Sequence, residues 1–339
     1  MSAKARLATL AAALALIPAC GLEPAPHRIE VRGPAMGTTY SVTVVDATAD
    51  SAALDATVRG ELELVDALMS TYRPDSEISR LNRHSNADPL PLSAETFSVL
   101  ETARDVSELT GGAFDITVGP LVDAWGFGPG GPADPPSDGK IRFLLGETGW
   151  SRLLLHSGSR TVRKALPALR CDLSAIAKGY AVDRVSEALE GLGFRNHLVE
   201  VGGEIRAAGS NPRGEDWRVG IERPDSAGRL VQRIVGLTDI AAATSGDYRN
   251  FQEAGGVRYG HVLDPRSGRP AESRVASATV FDRSAMRADA LATALVVLGE
   301  DDGLALAERE GLAALLIVRE GEGRLREAAS SHLHATMRY

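Results

Sequence analysis

Apolar residues recur along this chain with two periods, and the changes from one to the other mark out its elements. Thr38–Val45 (TTYSVTVV) is β-branched and partly alternating, which predicts a strand. From Asp50 or Ser51 the spacing becomes helical, with Leu62, Val65 and Leu68 repeating on one face and an end near Met69. Ser93 is placed to cap a second helix through Leu100, Ala103 and Leu109, closed by Gly111-Gly112. A third begins at Asp172 or Ser174, passes Tyr180, Val185 and Leu189, and ends near Gly191 and Gly193. Strands are predicted at His197–Val201, Trp217–Glu222, Val231–Leu237 and Val275–Phe281, then a helix over Ala285–Leu298 and a last apolar stretch, Ala313–Arg319. Helices and strands mix without a regular βαβ repeat, so the expected fold class is α+β rather than a doubly wound sheet. The Pro/Gly-rich segment 128–139 reads as a flexible surface loop or a soft boundary between two halves. No repeat of solenoid period, dinucleotide fingerprint or P-loop is present.

The first residues follow neither period. Lys4 and Arg6 precede an apolar run from Leu7 to Ile17, broken only by Thr9. A membrane-crossing helix needs roughly 20 apolar residues, so this shorter run reads as a signal peptide over residues 1–20. Leu16–Gly21 (LIPACG) is similar to a bacterial lipoprotein processing site with Cys20 as the lipidated residue, although Pro18 is not the small residue usual there. The alternative is plain secretion with Cys20 a bystander. Residues 21–33, with Pro24 and Pro26, are expected to form a tether ahead of a domain over 34–339. The only other cysteine is Cys171, so a lipidated Cys20 leaves no intrachain disulfide. Cys171 is expected to be a small buried apolar residue rather than a nucleophile.

Composition narrows the partners. The 339 residues suffice for a large core, and a net charge of −8 with no basic stripe and few aromatic residues argues against nucleic acid.

Five groups of residues point to chemistry, each with a plainer reading beside it. Asp289 and Thr293 stand four apart on the predicted helix, so both reach one point in space. A carboxylate with a hydroxyl suits Mg²⁺; a solvated helix face would look the same. Lys178, in the first turn of the helix after Asp172, sits against the helix dipole unless an anion pairs with it, or is a surface lysine. His261 lies just before the Asp264-Pro265 turn, near Arg266 and Arg269, as a general base or a structural histidine. Thr110–Asp115 (TGGAFD) brings backbone close to a flat ligand, with Phe114 as a packing surface, or is a helix cap. Tyr72 is a stacking residue or a core tyrosine at a helix end.

The order of the motifs is more specific than any one of them. MGTTYSV (36–42), STYRPDSEISRLN (70–82), TGGAFDITVGPLVDAWGF (110–127) and DLSAIAKGYAVD (172–183) come first. VEVGGEIRAAG (199–209), ATSGDYRNF (243–251), HVLDPRSGRP (261–270) and ADALATALVVLG (288–299) follow. The series resembles the ApbE family, bacterial FAD:protein FMN transferases once described as thiamine-biosynthesis lipoproteins.

The resemblance implies an α+β fold with largely antiparallel sheets and an FAD site in a cleft between two halves. It implies FAD contacts at Met36, Tyr72, Ala113, Phe114, Asp115, Asp172, Lys178 and Leu263. It implies Mg²⁺ ligands at Ala175, through its backbone oxygen, and at Asp289 and Thr293, and a catalytic base at His261. Ala292 departs from members that carry an acid there. The expected partners are FAD and acceptor subunits of membrane redox complexes or related flavoproteins bearing a target Ser/Thr. The expected location is the periplasmic face of the inner membrane, or its equivalent, held by a lipid anchor. Two other readings use the same residues: an FAD pyrophosphatase giving FMN and AMP, and a non-catalytic FAD-binding lipoprotein.

Overall fold

The structure is a computed structural model that describes residues 28–45, 50–86, 88–132, 134–224, 230–247, 251–254 and 256–336. The expected signal peptide, Cys20 and the tether up to residue 27 lie outside the described residues. No helix among the described residues is long and apolar enough to cross a membrane.

An eight-stranded antiparallel sheet organises the chain. Its order is Arg28–Ala35, Thr38–Val45, His197–Val201, Glu204–Ala208, Ile240–Gly246, Val275–Asp282, Ala313–Glu320 and Arg324–Ala329. The first two strands form a hairpin turned by Met36 and Gly37, both at positive φ (50° and 72°), as a two-residue hairpin turn requires. Strands from before and after segment 128–139 share this sheet, with Tyr40 opposite Val201.

Both faces of the central strands are covered, and the side-chain period of two divides their residues between two cores. Ala314, Leu316 and Val318 join the larger core with the helices Ser51–Met69, Ala177–Gly191 and Ala285–Glu310. Ala313, Leu315 and Ile317 join the smaller one, closed by the hairpin Trp217–Glu222 and Val231–Leu237. Burial on both faces is why Ala313–Val318 is continuously apolar. A satellite cluster of Leu121, Trp125, Ile141, Leu144 and Leu263 sits beneath the short helices Gly119–Ala124 and Asp138–Leu145.

The predicted helices at Ser51–Met69 and Ala94–Leu109 are present, capped by Asp50 and Ser93, whose side chains accept N–H bonds from Ala52 and Thr96. Three boundaries differ from the sequence reading. Residues 28–33, read as tether, belong to a strand, because Arg28 to Ala35 pair in register with Val45 to Thr38. The third helix starts at Ala177 rather than at 172–174, because Asp172 Oδ1 accepts the Ser174 N–H at 2.8 Å and closes a local turn instead. The helix from Ala285 runs past Leu298 to Glu310, with a kink at Gly299 (φ 79°).

Candidate active site

A cavity of about 1310 Å³ opens where the first turns of the helices Ala177–Gly191 and Ala285–Glu310 meet the sheet. It exceeds the roughly 300–1,000 Å³ common for small-ligand sites and has room for a dinucleotide. Every candidate residue read from the sequence lines it, apart from Cys20: Met36, Tyr72, Ala113, Phe114, Asp115, Asp172, Ala175, Lys178, His261, Leu263, Asp289 and Thr293.

The acidic floor is built by a contact between two helices. Gly179 lets them approach, since a Cβ there would lie 2.3 Å from the Ala285 carbonyl oxygen and 2.8 Å from Asp289 Cβ. The Gly179 N–H then donates to Asp289 Oδ2 at 3.0 Å. Asp183 fixes the second helix from outside. Its carboxylate accepts from the N–H groups of Ala285 (2.9 Å) and Met286 (3.0 Å), from Ser284 Oγ (2.8 Å) and from Arg206 (2.7 Å). A negative group at a helix N-terminus also matches the helix dipole.

Asp289 is 1% exposed, and its carboxyl is raised above the usual range by burial, against the pull of Lys178. Lys178 Nζ donates to Glu204 Oε1 at 2.9 Å and stands 3.7 Å from Asp289 Oδ1. Burial would lower the Lys178 ammonium, but Asp289 and Glu204 together hold it above its ordinary value. Glu204, 2% exposed, is raised by burial, with Lys178 opposing the rise and Asp289 adding to it. Thr293 shares a 2.8 Å hydrogen bond with Ser245 on the adjoining strand.

A carboxylate oxygen, a hydroxyl and the Ala175 backbone on one cavity are hard oxygen donors that fit Mg²⁺. Among the described residues, no three His, Cys, Asp or Glu side chains cluster to hold a metal. A cation here would therefore depend on Asp289 and on neutral oxygens for its protein ligands. Ala292 is fully buried in the apolar core.

His261 also lines the cavity, half-buried, with the Phe127 ring edge-on at 6.4 Å. Its loop is fastened from behind by Trp125, whose indole N–H donates to the Gly268 carbonyl at 2.9 Å. Arg266 pairs with Asp264 and Arg269 with Asp138, so the loop's cations are engaged at the surface rather than on the cavity wall.

The flat-ligand wall has a mixed outcome. Phe114 is buried in the main core while edging the cavity. The Asp115 carboxylate is committed to the protein, accepting from Thr117 N–H and Oγ (both 2.7 Å) and from the Trp150 N–H (2.9 Å). Tyr72 is 65% exposed, not a core residue, and its hydroxyl donates to the Phe127 carbonyl at 3.1 Å. Cys171 is buried, its thiol pushed up to about 12 by burial, as expected of a packing residue.

Sequence reasoning did not single out Glu204 or Ser245. A lone glutamate beside the glycine pair at 202–203 was the available signal for the first, and the Thr-Ser-Gly triplet at 244–246 for the second.

The ApbE family profile matches residues 36–316. The chain is 44% identical to an FAD:protein FMN transferase of Vibrio cholerae over 325 residues, 95% of this chain and 96% of the relative. It is 38% identical to an FAD:protein FMN transferase of Escherichia coli K12, covering 94% and 93% of the two chains. Among solved structures it is similar to the flavin transferase ApbE from Vibrio cholerae, with a TM-score of 0.84 over 91% of this chain and 99% of that one. The apo flavinyl transferase ApbE of Pseudomonas stutzeri also superposes with a TM-score of 0.84, at 40% identity over 92% and 97%.

Proposed function

The chain belongs to the ApbE family, and on that footing we propose that it transfers the FMN moiety of FAD to a serine or threonine hydroxyl of an acceptor protein, releasing AMP. Flavin transfer from FAD is the activity its relatives are named for. The observation that carries the reading is the meeting of His261, Lys178 and Asp289 on a single dinucleotide-sized cavity.

In this mechanism the acceptor oxygen bonds to the flavin-side phosphorus of FAD, the bond from that phosphorus to the bridging oxygen breaks, and AMP leaves. His261 takes the proton of the attacking hydroxyl. Lys178 presents its ammonium to the pyrophosphate, and the buried acids beside it keep it charged. A Mg²⁺ held by Asp289, Thr293 and the Ala175 carbonyl would supply further neutralisation of the departing AMP. Phe114, Tyr72 and Leu263 provide apolar surface at the edges of the cavity for the flavin and adenine rings. With Cys20 lipidated, the enzyme would work at the outer face of the cytoplasmic membrane, where subunits of membrane redox complexes would be its acceptors.

The test uses the form lacking residues 1–20, incubated with FAD, Mg²⁺ and a candidate acceptor domain. The expected result is an acceptor that gains one FMN by mass, fluoresces on a denaturing gel and fails to do so with EDTA. Free FMN and AMP beside an unlabelled, competent acceptor would instead establish an FAD pyrophosphatase. Intact FAD under the same conditions would leave a binding protein.

A further inference from the structure

Two carboxylates compete for one ammonium in the floor of the cavity, and the competition is unequal. Lys178 Nζ lies 2.9 Å from Glu204 Oε1 but 3.7 Å from Asp289 Oδ1. The other Asp289 oxygen, Oδ2, already accepts the Gly179 N–H at 3.0 Å. Oδ1 is therefore the more open Asp289 oxygen for a cation, and the lysine stands 3.7 Å from it, within ion-pair range but farther than its 2.9 Å bond to Glu204.

Glu204 is held for this task by its backbone. It follows the Gly202-Gly203 turn, where φ is 64° and 109°, and pairs opposite Val201 in the next strand. The bare turn gives the lysine its path: a Cβ on Gly202 would meet Lys178 Cδ at 3.2 Å and Thr38 Cγ2 at 2.9 Å. Glu204 Oε2 is buried with no hydrogen-bond partner among the described residues. Lys178 is the cation bonded to this carboxylate, and a buried charge binds its partner firmly when little else offsets it.

We propose that Glu204 is a positioning residue of the metal centre, drawing Lys178 Nζ off Asp289 Oδ1 so that a divalent cation binds there without displacing an ammonium. The same arrangement keeps Nζ beside the cation, where the two can share one pyrophosphate. An ammonium and a divalent cation held on the same oxygen repel each other at close range, so a lysine released from Glu204 would close onto Asp289 and raise the concentration of metal needed. The inference rests on Asp289 serving as a cation ligand.

Binding tests it, apart from turnover. Full-length protein is titrated with Mg²⁺ at fixed FAD, without acceptor, and FAD binding is followed by quenching of flavin fluorescence. Glu204→Gln keeps the shape and removes the charge; its Mg²⁺ midpoint is expected to rise by roughly tenfold or more. Adding Lys178→Met removes the competing ammonium and returns the midpoint toward that of the parent, even where FAD itself binds less tightly. An unchanged midpoint in Glu204→Gln overturns the role of Glu204 while leaving the metal ligand standing. A raised midpoint that persists in the double variant overturns it as well, because the ammonium is then not the competitor. FAD binding by the parent that ignores Mg²⁺ overturns both readings. Should Glu204→Gln fail to fold, Glu204→Asp carries the test, since its shorter stem loosens the hold on Nζ. A midpoint above the parent's supports the proposal, and an unchanged one defeats it.

Discussion

The backbone N–H of Gly179 donates to Asp289 Oδ2 across 3.0 Å, joining the first turn of one helix to the first turns of another that lies 110 residues further along the chain. One residue without a side chain thereby sets the position of the acid on which the proposed metal centre depends. The contact explains why this helix carries glycine where alanine would be the better helix former.

Gly179→Ala provides the first prediction. In an exposed helix the change would stabilise by up to about 1 kcal/mol. Here the new Cβ would stand 2.3 Å from the Ala285 oxygen and 2.6 Å from its carbonyl carbon, so the helices must separate. Chemical denaturation should show a loss of about 1–3 kcal/mol, with transfer activity reduced because Asp289 moves. A gain in stability would show that the helices are not in the contact described.

Asp183→Asn separates orientation from chemistry. Asp183 lies outside the set of residues lining the cavity, yet it accepts three hydrogen bonds that fix the start of the helix bearing Asp289 and Thr293, and a fourth from Arg206. The amide retains one acceptor oxygen and loses the charge paired with Arg206. A destabilisation of about 1–3 kcal/mol is expected in denaturant titrations, together with a lower rate. Stability equal to the parent's would remove Asp183 as the anchor of that helix.

His261→Ala and Asp289→Ala test the proposed base and the proposed metal ligand separately. The histidine variant should bind FAD as the parent does and transfer flavin roughly 10²–10⁴-fold more slowly, the range for a positioned general base. Single-turnover labelling of an acceptor measures this, and full activity would rule out His261 as the base. Asp289→Ala should abolish Mg²⁺-dependent turnover in a protein whose circular dichroism is unchanged. Persistence of that turnover would remove Asp289 from the metal site.

Acid sensitivity is expected to come in part from His197, which does not line the cavity. Its ring is fully buried, hydrogen-bonded to Ser186 Oγ at 2.7 Å and to the Phe194 carbonyl at 3.1 Å. Burial holds its pKa below 6.5. The unfolded chain therefore binds this proton at a higher pH than the folded one, and stability is lost as pH falls below about 6.5. Melting temperatures between pH 8 and pH 5 should drop along this window and drop less steeply in His197→Gln. Parallel curves for the two proteins would assign the effect to other groups.

Much of the fold was legible because local physics fixes it. The alternation in Thr38–Val45 and Trp217–Glu222, and the caps at Asp50 and Ser93, need no distant partner to be read. The central strands Glu204–Ala208 and Ile240–Gly246 escaped because they are rich in alanine and small polar residues, which favour strands only weakly. Their place is set by pairing, Ile205 opposite Ala242 on one side and Val199 opposite Arg206 on the other.

The sequence by itself determined the α+β class, most of the elements and, through the order of its motifs, the residues that share the cavity. What each of those residues does there was decided only when the chain closed on itself. Asp115, named as a ligand contact, spends its carboxylate on Thr117 and Trp150. Glu204, passed over in the sequence, bonds the lysine that would otherwise close onto Asp289. Periodicity is a property of neighbours a few residues apart, whereas a buried charge takes its partner from whatever packing brings within about 4 Å. For Lys178 that partner lies 26 residues away, and for Asp289 it lies 110.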